Sequence, residues 1–374
     1  MKVLYITRGL GDYVAELVNS MSSHCEAHII LAKNDEWLRN ILNPNVKVFT
    51  SGAPRVSSLG NLVGLSRMVR YVQTVKPDVI HVQSGAIWEL GLAHIFPHIP
   101  LVVTIHDVFK HPSRNKKQWS GQISQDHLGN QADAIIVHGK HLRELAMQRY
   151  GRRKQPNQIY SIPHGVISRY GCGAARTDVS DDGHVLLFGG LDQWKGIEYF
   201  VQAEPYIRER LPHVKLCIAG HSSDPDYYRS LVGAMSPIEL RLGFQSPEEV
   251  RRLFEWADVL ALPYIEASQS GVLQIGFAFT VPPVVTSVGG LVDVIRHEHN
   301  GLVVPPREPQ QLAKAILRLL SDKKLRSSVI TTMTDEKTKV YGWHHIANQT
   351  MMVYQSVLAA SRSSRSNVSR ASVN

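Results

Sequence analysis

Short apolar segments alternate with longer amphipathic segments along most of this chain. The short segments are rich in β-branched residues and leucine, and the longer ones repeat apolar positions at helical spacing. This alternation is typical of a parallel sheet covered by helices. The pattern predicts two successive series of strands. The first series is Lys2 to Thr7, Ala27 to Leu31, Val79 to Val82, Leu101 to His106 and Ala134 to Val137. The second is Val185 to Phe188, Lys215 to Ala219, Leu240 to Phe244, Val259 to Leu262, Val284 to Ser287 and Gly301 to Val304.

A segment without apolar periodicity separates the two series. Gly171 to Gly183 is frequent in Gly, Asp and Ser, as expected of a linker. We therefore predict an α/β protein of two Rossmann-like, doubly wound domains, residues 1–172 and 173–342. Open sheets of this kind bind ligands at the carboxyl ends of their strands, so two such domains facing one another would share a cleft.

The end of the chain divides into an apolar part and a polar part. Residues 343–360 are expected to form a helix that packs back on the N-terminal domain, because their apolar positions share one helical face. Those positions are Trp343, Ile346, Met351, Val353 and Tyr354. Residues 361–374 read SRSSRSNVSRASVN and have almost nothing apolar to bury, so they are predicted to be disordered.

Composition adds few constraints to this picture. A chain of 374 residues, 43% hydrophobic and 20% charged, is ordinary for a two-domain globular protein. Its apolar runs fall far short of the roughly 20 residues that cross a bilayer, and the N-terminus lacks the apolar core of a signal peptide. We therefore expect a cytoplasmic protein. The three cysteines, Cys25, Cys172 and Cys217, are scattered, which fits reduced structural thiols.

The net charge of +9 is concentrated in one segment. Residues 106–154 hold ten Lys or Arg against four Asp or Glu, a local balance of +6. Such density suits an anionic partner, either the inner surface of a membrane or a phosphorylated acceptor, although a well-solvated surface explains it equally well. A nucleic-acid partner is disfavoured, because no zinc-finger spacing, RNA-binding aromatic signature or helix-turn-helix accompanies the charge.

A glycine turn follows the first predicted strand. Arg8-Gly9-Leu10-Gly11 leads into a helix whose first amide groups could receive an anion. The third glycine of a dinucleotide fingerprint is replaced by Val14, which disfavours a nicotinamide enzyme. A turn that admits a diphosphate fits better, and Gly11 is its candidate ligand-binding residue.

Two turns in the second series carry the strongest indication of function. One strand runs into Gly189-Gly190-Leu191-Asp192-Gln193-Trp194-Lys195-Gly196, where glycines permit close approach and Lys195 can neutralise a phosphate. Another strand leads through Glu266 to Ser270-Gly271, which offers a hydroxyl and backbone amides at a helix N-terminus. A Lys-Gly turn alone is ordinary, but the two turns together favour a phosphate site.

These segments resemble the family 4 glycosyltransferases of the GT-B fold. The similar stretches are FGGLDQWKGIEYF, Ala219-Gly220, LPYIEASQSGVLQIGFAFTVPPVVTSVGGLVDVI, NGLVVPP, the IPHG at Ile162 to Gly165 and the Thr-x-His-Asp turn at Thr104 to Asp107. The resemblance covers nearly the whole chain and is densest from Gly189 to Pro306. It implies a retaining, metal-independent transfer of a hexosyl group from a nucleotide-diphosphate sugar, without a cofactor. The implied acceptor is a glycan or a lipid-linked glycan of cell-surface polysaccharide synthesis.

The resemblance also assigns roles to residues. It implies three catalytic residues: Lys195 on the donor diphosphate, Glu266 near the hydroxyls of the transferred sugar, and His106 lining the reaction site from the N-terminal domain. Ser270, Gly271 and Val272 are expected to offer amides to the diphosphate. The donor-binding set is completed by Gly11, Gly189, Gly190, Phe244 and Gln274.

Two positions depart from the family pattern. The second Glu of the E-x7-E motif is Gln274, which can still hydrogen-bond to ribose hydroxyls. The Arg that accompanies the diphosphate-binding Lys is replaced by Gly190 or Asp192, which removes a bidentate phosphate partner. Arg8 and Arg241 are candidate substitutes. A catalytically impaired GT-B subunit is therefore one alternative, and a sugar-nucleotide epimerase of the same architecture is another, disfavoured by the E-x7-Q segment.

No metal site is predicted. Asp224-Pro225-Asp226 reads as the D-x-D that other glycosyltransferases use for a divalent metal, but its surroundings indicate an exposed turn. The pairs His24 with His28 and His94 with His98 have H-x3-H spacing without the Glu of a zinc-protease motif.

Overall fold

The structure is a computed structural model that describes residues 1–7, 9–51, 60–83, 87–109, 118–173, 178–180, 182–233 and 236–371. It divides into two compact units. Unit 1 consists of Met1–Gly165 and Trp343–Asn374, and unit 2 consists of Val166–Gly342.

The chain enters unit 2 earlier than the predicted boundary at residue 172. Val166 N donates to Tyr341 O at 3.0 Å and Ile167 N donates to Gln274 O at 3.4 Å. These backbone hydrogen bonds join the segment to unit 2 before the polar linker begins. The predicted boundary rested on the polar composition of the linker. The observed boundary depends on hydrogen bonds between residues far apart in the sequence, which composition does not indicate.

Unit 1 contains a parallel sheet in the Rossmann order β3-β2-β1-β4-β5-β6-β7. Its strands are β1 (Lys2–Thr7), β2 (Glu26–Ala32), β3 (Lys47–Ser51), β4 (Val79–Val82), β5 (Leu101–Thr104), β6 (Ala134–Val137) and β7 (Ile159–Ser161). Its first helices are α1 (Gly11–Met21), α2 (Gly60–Val75), α3 (Ile87–Ile95), α4 (Gln118–Gln131) and α5 (Lys140–Tyr150). Val3 and Tyr5 belong to one apolar cluster and Leu4 and Ile6 to another, so both faces of the sheet are buried.

Unit 2 contains a second parallel sheet, in the order β10-β9-β8-β11-β12-β13. Its strands are β8 (His184–Phe188), β9 (Lys215–Gly220), β10 (Glu239–Leu242), β11 (Val259–Leu262), β12 (Pro283–Thr286) and β13 (Leu302–Val304). Its helices are α6 (Ile197–Arg210), α7 (Pro225–Val232), α8 (Pro247–Trp256), α9 (Gly271–Phe279), α10 (Leu291–Val294), α11 (Pro309–Ser321) and α12 (Lys323–Lys339). The order reverses between β8 and β11, which places the loops after these two strands side by side.

The last helix, α13 (Trp343–Ala371), packs within unit 1. Ile346, Val353 and Tyr354 are buried in the cluster that contains α1, and Ser20 Oγ donates to Trp343 O at 3.0 Å. The helix continues over residues 361–371, where the sequence analysis predicted disorder. Adding residues to an existing helix costs far less than starting one, and basic side chains are favourable near a helix C-terminus. Among the helices described, none is long and apolar enough to cross a membrane.

Candidate functional site

The centre of the candidate site is the buried side chain of Lys195. Its Nζ donates to Tyr264 Oη at 2.7 Å and lies 4.3 Å and 4.0 Å from the ring centroids of Trp194 and Tyr264. Within the described part of unit 2, no carboxylate forms an ion pair with this ammonium group. Burial of a cation without an anionic partner is costly, and aromatic rings offset only part of that cost. The surroundings of Lys195 therefore favour an anionic ligand.

The backbone around Lys195 explains why the sequence places it there. Gly196 has φ of +64°, and a Cβ atom on it would lie 2.0 Å from Pro263 O. Only glycine fits this left-handed turn against the end of β11. Ile265 N also donates to Trp194 O at 2.8 Å, which ties the turn to the loop after β11. Lys195 and Tyr264 thus meet because their two loops are hydrogen-bonded to one another.

The N-terminus of α9 adjoins this lysine. Ser270 caps the helix, since its Oγ accepts from Leu273 N at 3.2 Å, and the same Oγ lies 3.3 Å from Tyr264 Oη. A Cβ atom on Gly189 would lie 2.9 Å from Val272 Cγ2, so the turn after β8 lies against the first turn of α9. The first amides of a helix have no partner within it and carry partial positive charge. The structure therefore brings together the predicted residues Gly189, Lys195, Ser270, Gly271 and Val272.

Gln274, in the second turn of α9, is buried, and its side-chain oxygen lacks a hydrogen-bond donor among the described residues. Its side chain is 2% exposed, and no described protein group donates to its Oε1. An unsatisfied buried amide oxygen costs about 1–3 kcal/mol. A hydroxyl of a bound ligand would satisfy it, which agrees with the ribose-binding role implied for this position.

Three predicted residues of unit 2 are exposed: Gly190, Phe244 and Glu266. Phe244 is 85% exposed, which is unusual for a large apolar side chain. The loop that carries Glu266 is held in place, because Gly290 N donates to Ala267 O at 3.3 Å. These three residues are accessible to a ligand, while the loop of Glu266 is fixed to the segment after β12.

Of the two candidate substitutes for the missing arginine, Arg241 lies within the described residues and Arg8 does not. Arg241 lies in β10 with its Nε 2.7 Å from Glu239 Oε1, and this hydrogen bond raises the pKa of the guanidinium. Its charge already has a carboxylate partner, which weakens it as a phosphate ligand. Arg8 lies outside the described residues.

The glycine turn of unit 1 has a packing role. A Cβ atom on Gly11 would lie 2.7 Å from Trp37 Cζ2, and Gly9 N donates to Asp35 Oδ2 at 3.1 Å. The need for glycine at position 11 is thus explained by the indole ring beside it. The carboxylate of Asp35 makes this turn less favourable for a diphosphate.

Unit 1 also carries a histidine cluster, which we define as His106, His138 and His164. They follow β5, β6 and β7, three neighbouring strands, and all three are buried. His138 Nε2 lies 3.1 Å from His106 Nδ1, and the Tyr13 ring lies 4.8 Å, 5.1 Å and 4.8 Å from the rings of His106, His138 and His164. Only His106 was predicted as a site residue. The recurring order of an apolar strand followed by histidine, in TIH, IIVH and SIPH, could have indicated the other two.

The carboxylates of the D-x-D segment serve helix α7. Asp224 is its N-cap and accepts from Tyr227 N at 3.2 Å, and Asp226 pairs with Arg229 at 2.6 Å. The histidine pairs are similarly occupied by other groups: His28 bonds with Tyr71, and His94 lies beside His127. Among the residues that the structure describes, no cluster of His, Cys, Asp or Glu could hold a metal ion.

Two family profiles match this sequence. Residues 7–168 match "Glycosyltransferase Family 4", and residues 182–322 match "Glycosyl transferases group 1". An uncharacterized glycosyltransferase of Methanocaldococcus jannaschii is 36% identical over 181 residues, which is 47% of this chain and 46% of the relative. The match thus spans about half of that relative's length. The glycogen synthase of Mycobacterium tuberculosis is 25% identical over 300 residues, 78% of this chain and 70% of that enzyme.

Solved structures share the architecture of both units. The sucrose-phosphate synthase from Thermosynechococcus elongatus superimposes with a TM-score of 0.77 at 19% identity, covering 96% of this chain and 100% of that one. Anabaena HepE in complex with UDP and glucose has a TM-score of 0.73 at 18% identity, covering 95% and 100%. At these identities the likeness concerns the fold: two parallel-sheet, Rossmann-like domains.

Proposed function

Because this chain belongs to the family 4 glycosyltransferases and has the GT-B fold, we propose that it transfers a hexosyl group with retention of configuration. The donor is a nucleotide-diphosphate sugar, and the acceptor is a glycan or lipid-linked glycan of cell-surface polysaccharide synthesis. Unit 2 binds the donor, and unit 1 serves the acceptor side. These assignments go beyond family membership, and the binding of the donor by unit 2 has physical support in the structure.

The observation that carries the proposal is the buried ammonium of Lys195, which has no carboxylate partner among the described residues. When a glycosidic bond to a diphosphate breaks, negative charge grows on the leaving phosphate. Lys195 and the first amides of α9, at Gly271 and Val272, provide fixed positive charge for that leaving group. The same groups take the place of a divalent metal, which supports metal-independent transfer.

The remaining polar groups of unit 2 suit the rest of the donor. The unsatisfied Oε1 of Gln274 would accept a hydrogen bond from a ribose hydroxyl. Phe244 offers an exposed ring, to which a nucleobase could bind by stacking. The Anabaena neighbour binds UDP and glucose, so UDP-glucose is the first donor to test.

Glu266 and His106 act on the sugar and the acceptor in this proposal. The exposed carboxylate of Glu266 accepts hydrogen bonds from hydroxyls of the transferred sugar. His106 lines the acceptor side in unit 1. Retention then follows from attack on the face that the diphosphate leaves, with the departing phosphate taking the acceptor's proton. This reaction requires no enzymic nucleophile.

A thermal-shift panel tests donor binding directly. A ligand that binds only the folded protein stabilises it by mass action and so raises its melting temperature. At a ligand concentration one hundred times the Kd, the free energy of unfolding rises by about 2.7 kcal/mol. We expect one of UDP, GDP or ADP, and its sugar conjugate, to raise the melting temperature. If none of them raises the melting temperature at millimolar concentration, the assignment of the donor site is wrong. The alternative of a non-catalytic GT-B subunit, which the engaged guanidinium of Arg241 favours, then takes its place.

The proposal places the protein in the cytoplasm, at the inner face of the membrane. Its support is the charge of +6 over residues 106–154. Part of that charge is used locally, since Arg149 pairs with Asp126 and Arg143 donates to the carbonyl groups of Ile159 and Pro156. We expect the protein to pellet with anionic vesicles at low salt and to be released by salt. A protein that stays in the supernatant at low salt has no such contact.

A further inference from the structure

The histidine cluster contains a hydrogen bond between two imidazole rings. His138 Nδ1 lies 3.0 Å from Ile162 O, and His138 Nε2 lies 3.1 Å from His106 Nδ1. A carbonyl oxygen only accepts hydrogen bonds, so His138 Nδ1 carries a proton. Burial lowers the pKa of His138 to about 3, so its ring is neutral near pH 7. The other nitrogen of that ring, Nε2, therefore has a lone pair and accepts.

The lone pair on His138 Nε2 determines which ring nitrogen of His106 carries a proton. Two lone pairs cannot face one another at hydrogen-bond distance, so His106 Nδ1 must donate to His138 Nε2. In a neutral His106 ring, the basic nitrogen is then Nε2. The chain of donors runs from His106 through His138 to the backbone carbonyl of Ile162, which is an acceptor that cannot change its role.

From this geometry we propose that His138 is a positioning residue, which holds His106 in the tautomer whose Nε2 accepts a hydrogen bond from a sugar hydroxyl. The inference rests on the proposed function, because it gives His106 its partner in that reaction. It also goes beyond that function, since it assigns a role to His138, a residue that the proposed reaction does not use.

The described titratable groups beside the two rings, His164, Tyr13 and Asp107, are compatible with this arrangement. His164 Nδ1 donates to Gly165 O at 2.7 Å, and burial lowers the pKa of His164 to about 4, so it adds no positive charge near pH 7. Burial raises the pKa of the Tyr13 hydroxyl, which stays protonated. Asp107 is the acidic group that acts on His138, and it shifts the pKa of His138 less than burial does.

The tautomers can be measured on the full chain by long-range ¹H–¹⁵N NMR of the imidazole nitrogens at pH 7. The variant His106→Gln identifies the signals of His106. We expect His106 in the Nδ1–H form in the wild type and a shift towards the Nε2–H form in His138→Leu. We expect kcat of His138→Leu to fall about tenfold or more with the donor KM unchanged. His138→Gln, whose Oε1 can replace the imidazole acceptor, should restore the wild-type tautomer and most of kcat.

The outcomes separate this inference from the function on which it rests. An Nε2–H form of His106 in the wild type overturns the inference, and so does an unchanged tautomer in His138→Leu. If His138→Leu fails to fold, the spectra of the wild type and His138→Gln still decide. If the tautomers behave as expected while His106→Gln keeps wild-type kcat, the positioning stands and the catalytic role of His106 in the proposed function is wrong.

Discussion

Replacing Lys195 by alanine should lower kcat/KM for the nucleotide-sugar donor by about 100- to 1000-fold, as the loss of one fixed donor to a developing anion does elsewhere. The ammonium group is buried, and within the part of the chain that the structure describes it contacts a hydroxyl and two rings but no carboxylate, so its charge is available to a diphosphate. The loss should appear in binding as well as in turnover, because the diphosphate is charged before the reaction begins. Calorimetric titration with the nucleoside diphosphate measures the loss of binding affinity, and steady-state kinetics measures the loss of turnover.

Two matched variants make this result specific. Lys215→Ala removes another lysine of unit 2, which is exposed and pairs with Asp182, and should leave donor kinetics unchanged. Tyr264→Phe keeps the ring beside Lys195 but removes the hydroxyl that accepts from Nζ, so it should cost much less than Lys195→Ala. If Lys195→Ala binds the nucleotide with wild-type affinity, the buried ammonium has a purely structural role and the donor site lies elsewhere.

The interior strands of both sheets could be predicted from the sequence, whereas the two edge strands of unit 1 could not. β6 and β11 have the predicted bounds, because each is an uninterrupted apolar run, and so does β4, whose run is interrupted by the buried His81. β3 and β7 were missed. Both lie at an edge of the sheet of unit 1 and mix buried with accessible residues, so neither shows a continuous run. The edge strands of unit 2, β10 and β13, were predicted within two residues of their bounds, so an edge position alone does not hide a strand from the sequence pattern.

Some features of the candidate site are set by neighbouring residues in the sequence, and others by contacts between residues far apart in it. The turn around Lys195 and the cap at Ser270 are local, and the sequence indicated both. The bond from Lys195 to Tyr264 joins residues 69 positions apart, and the bond from His106 to His138 spans 32 positions. Both depend on which parallel strands are neighbours. The sheet orders supply that information, and residue spacing does not.

Glu266 should matter for transfer rather than for nucleotide binding. Glu266→Ala is expected to lower kcat by about 100-fold or more while leaving the affinity for the nucleoside diphosphate within a few-fold of the wild type. Its carboxylate is exposed, whereas the groups assigned to the diphosphate, Lys195 and the N-terminus of α9, are held by other contacts. Steady-state kinetics together with nucleotide titration separates the two quantities.

The variant Glu266→Gln decides between two ways in which this carboxylate could act. An orienting residue keeps part of its function as an amide, because Gln still accepts hydrogen bonds from sugar hydroxyls. A covalent nucleophile keeps none, since an amide cannot form the glycosyl ester. We expect Glu266→Gln to retain measurable transfer above Glu266→Ala, with Glu248→Ala, an exposed carboxylate of α8 paired with Arg252, as the unaffected control. Equal and complete loss in both Glu266 variants would favour the nucleophile. Unchanged transfer in both would remove Glu266 from the site, because the firmly held loop makes compensation by backbone movement costly.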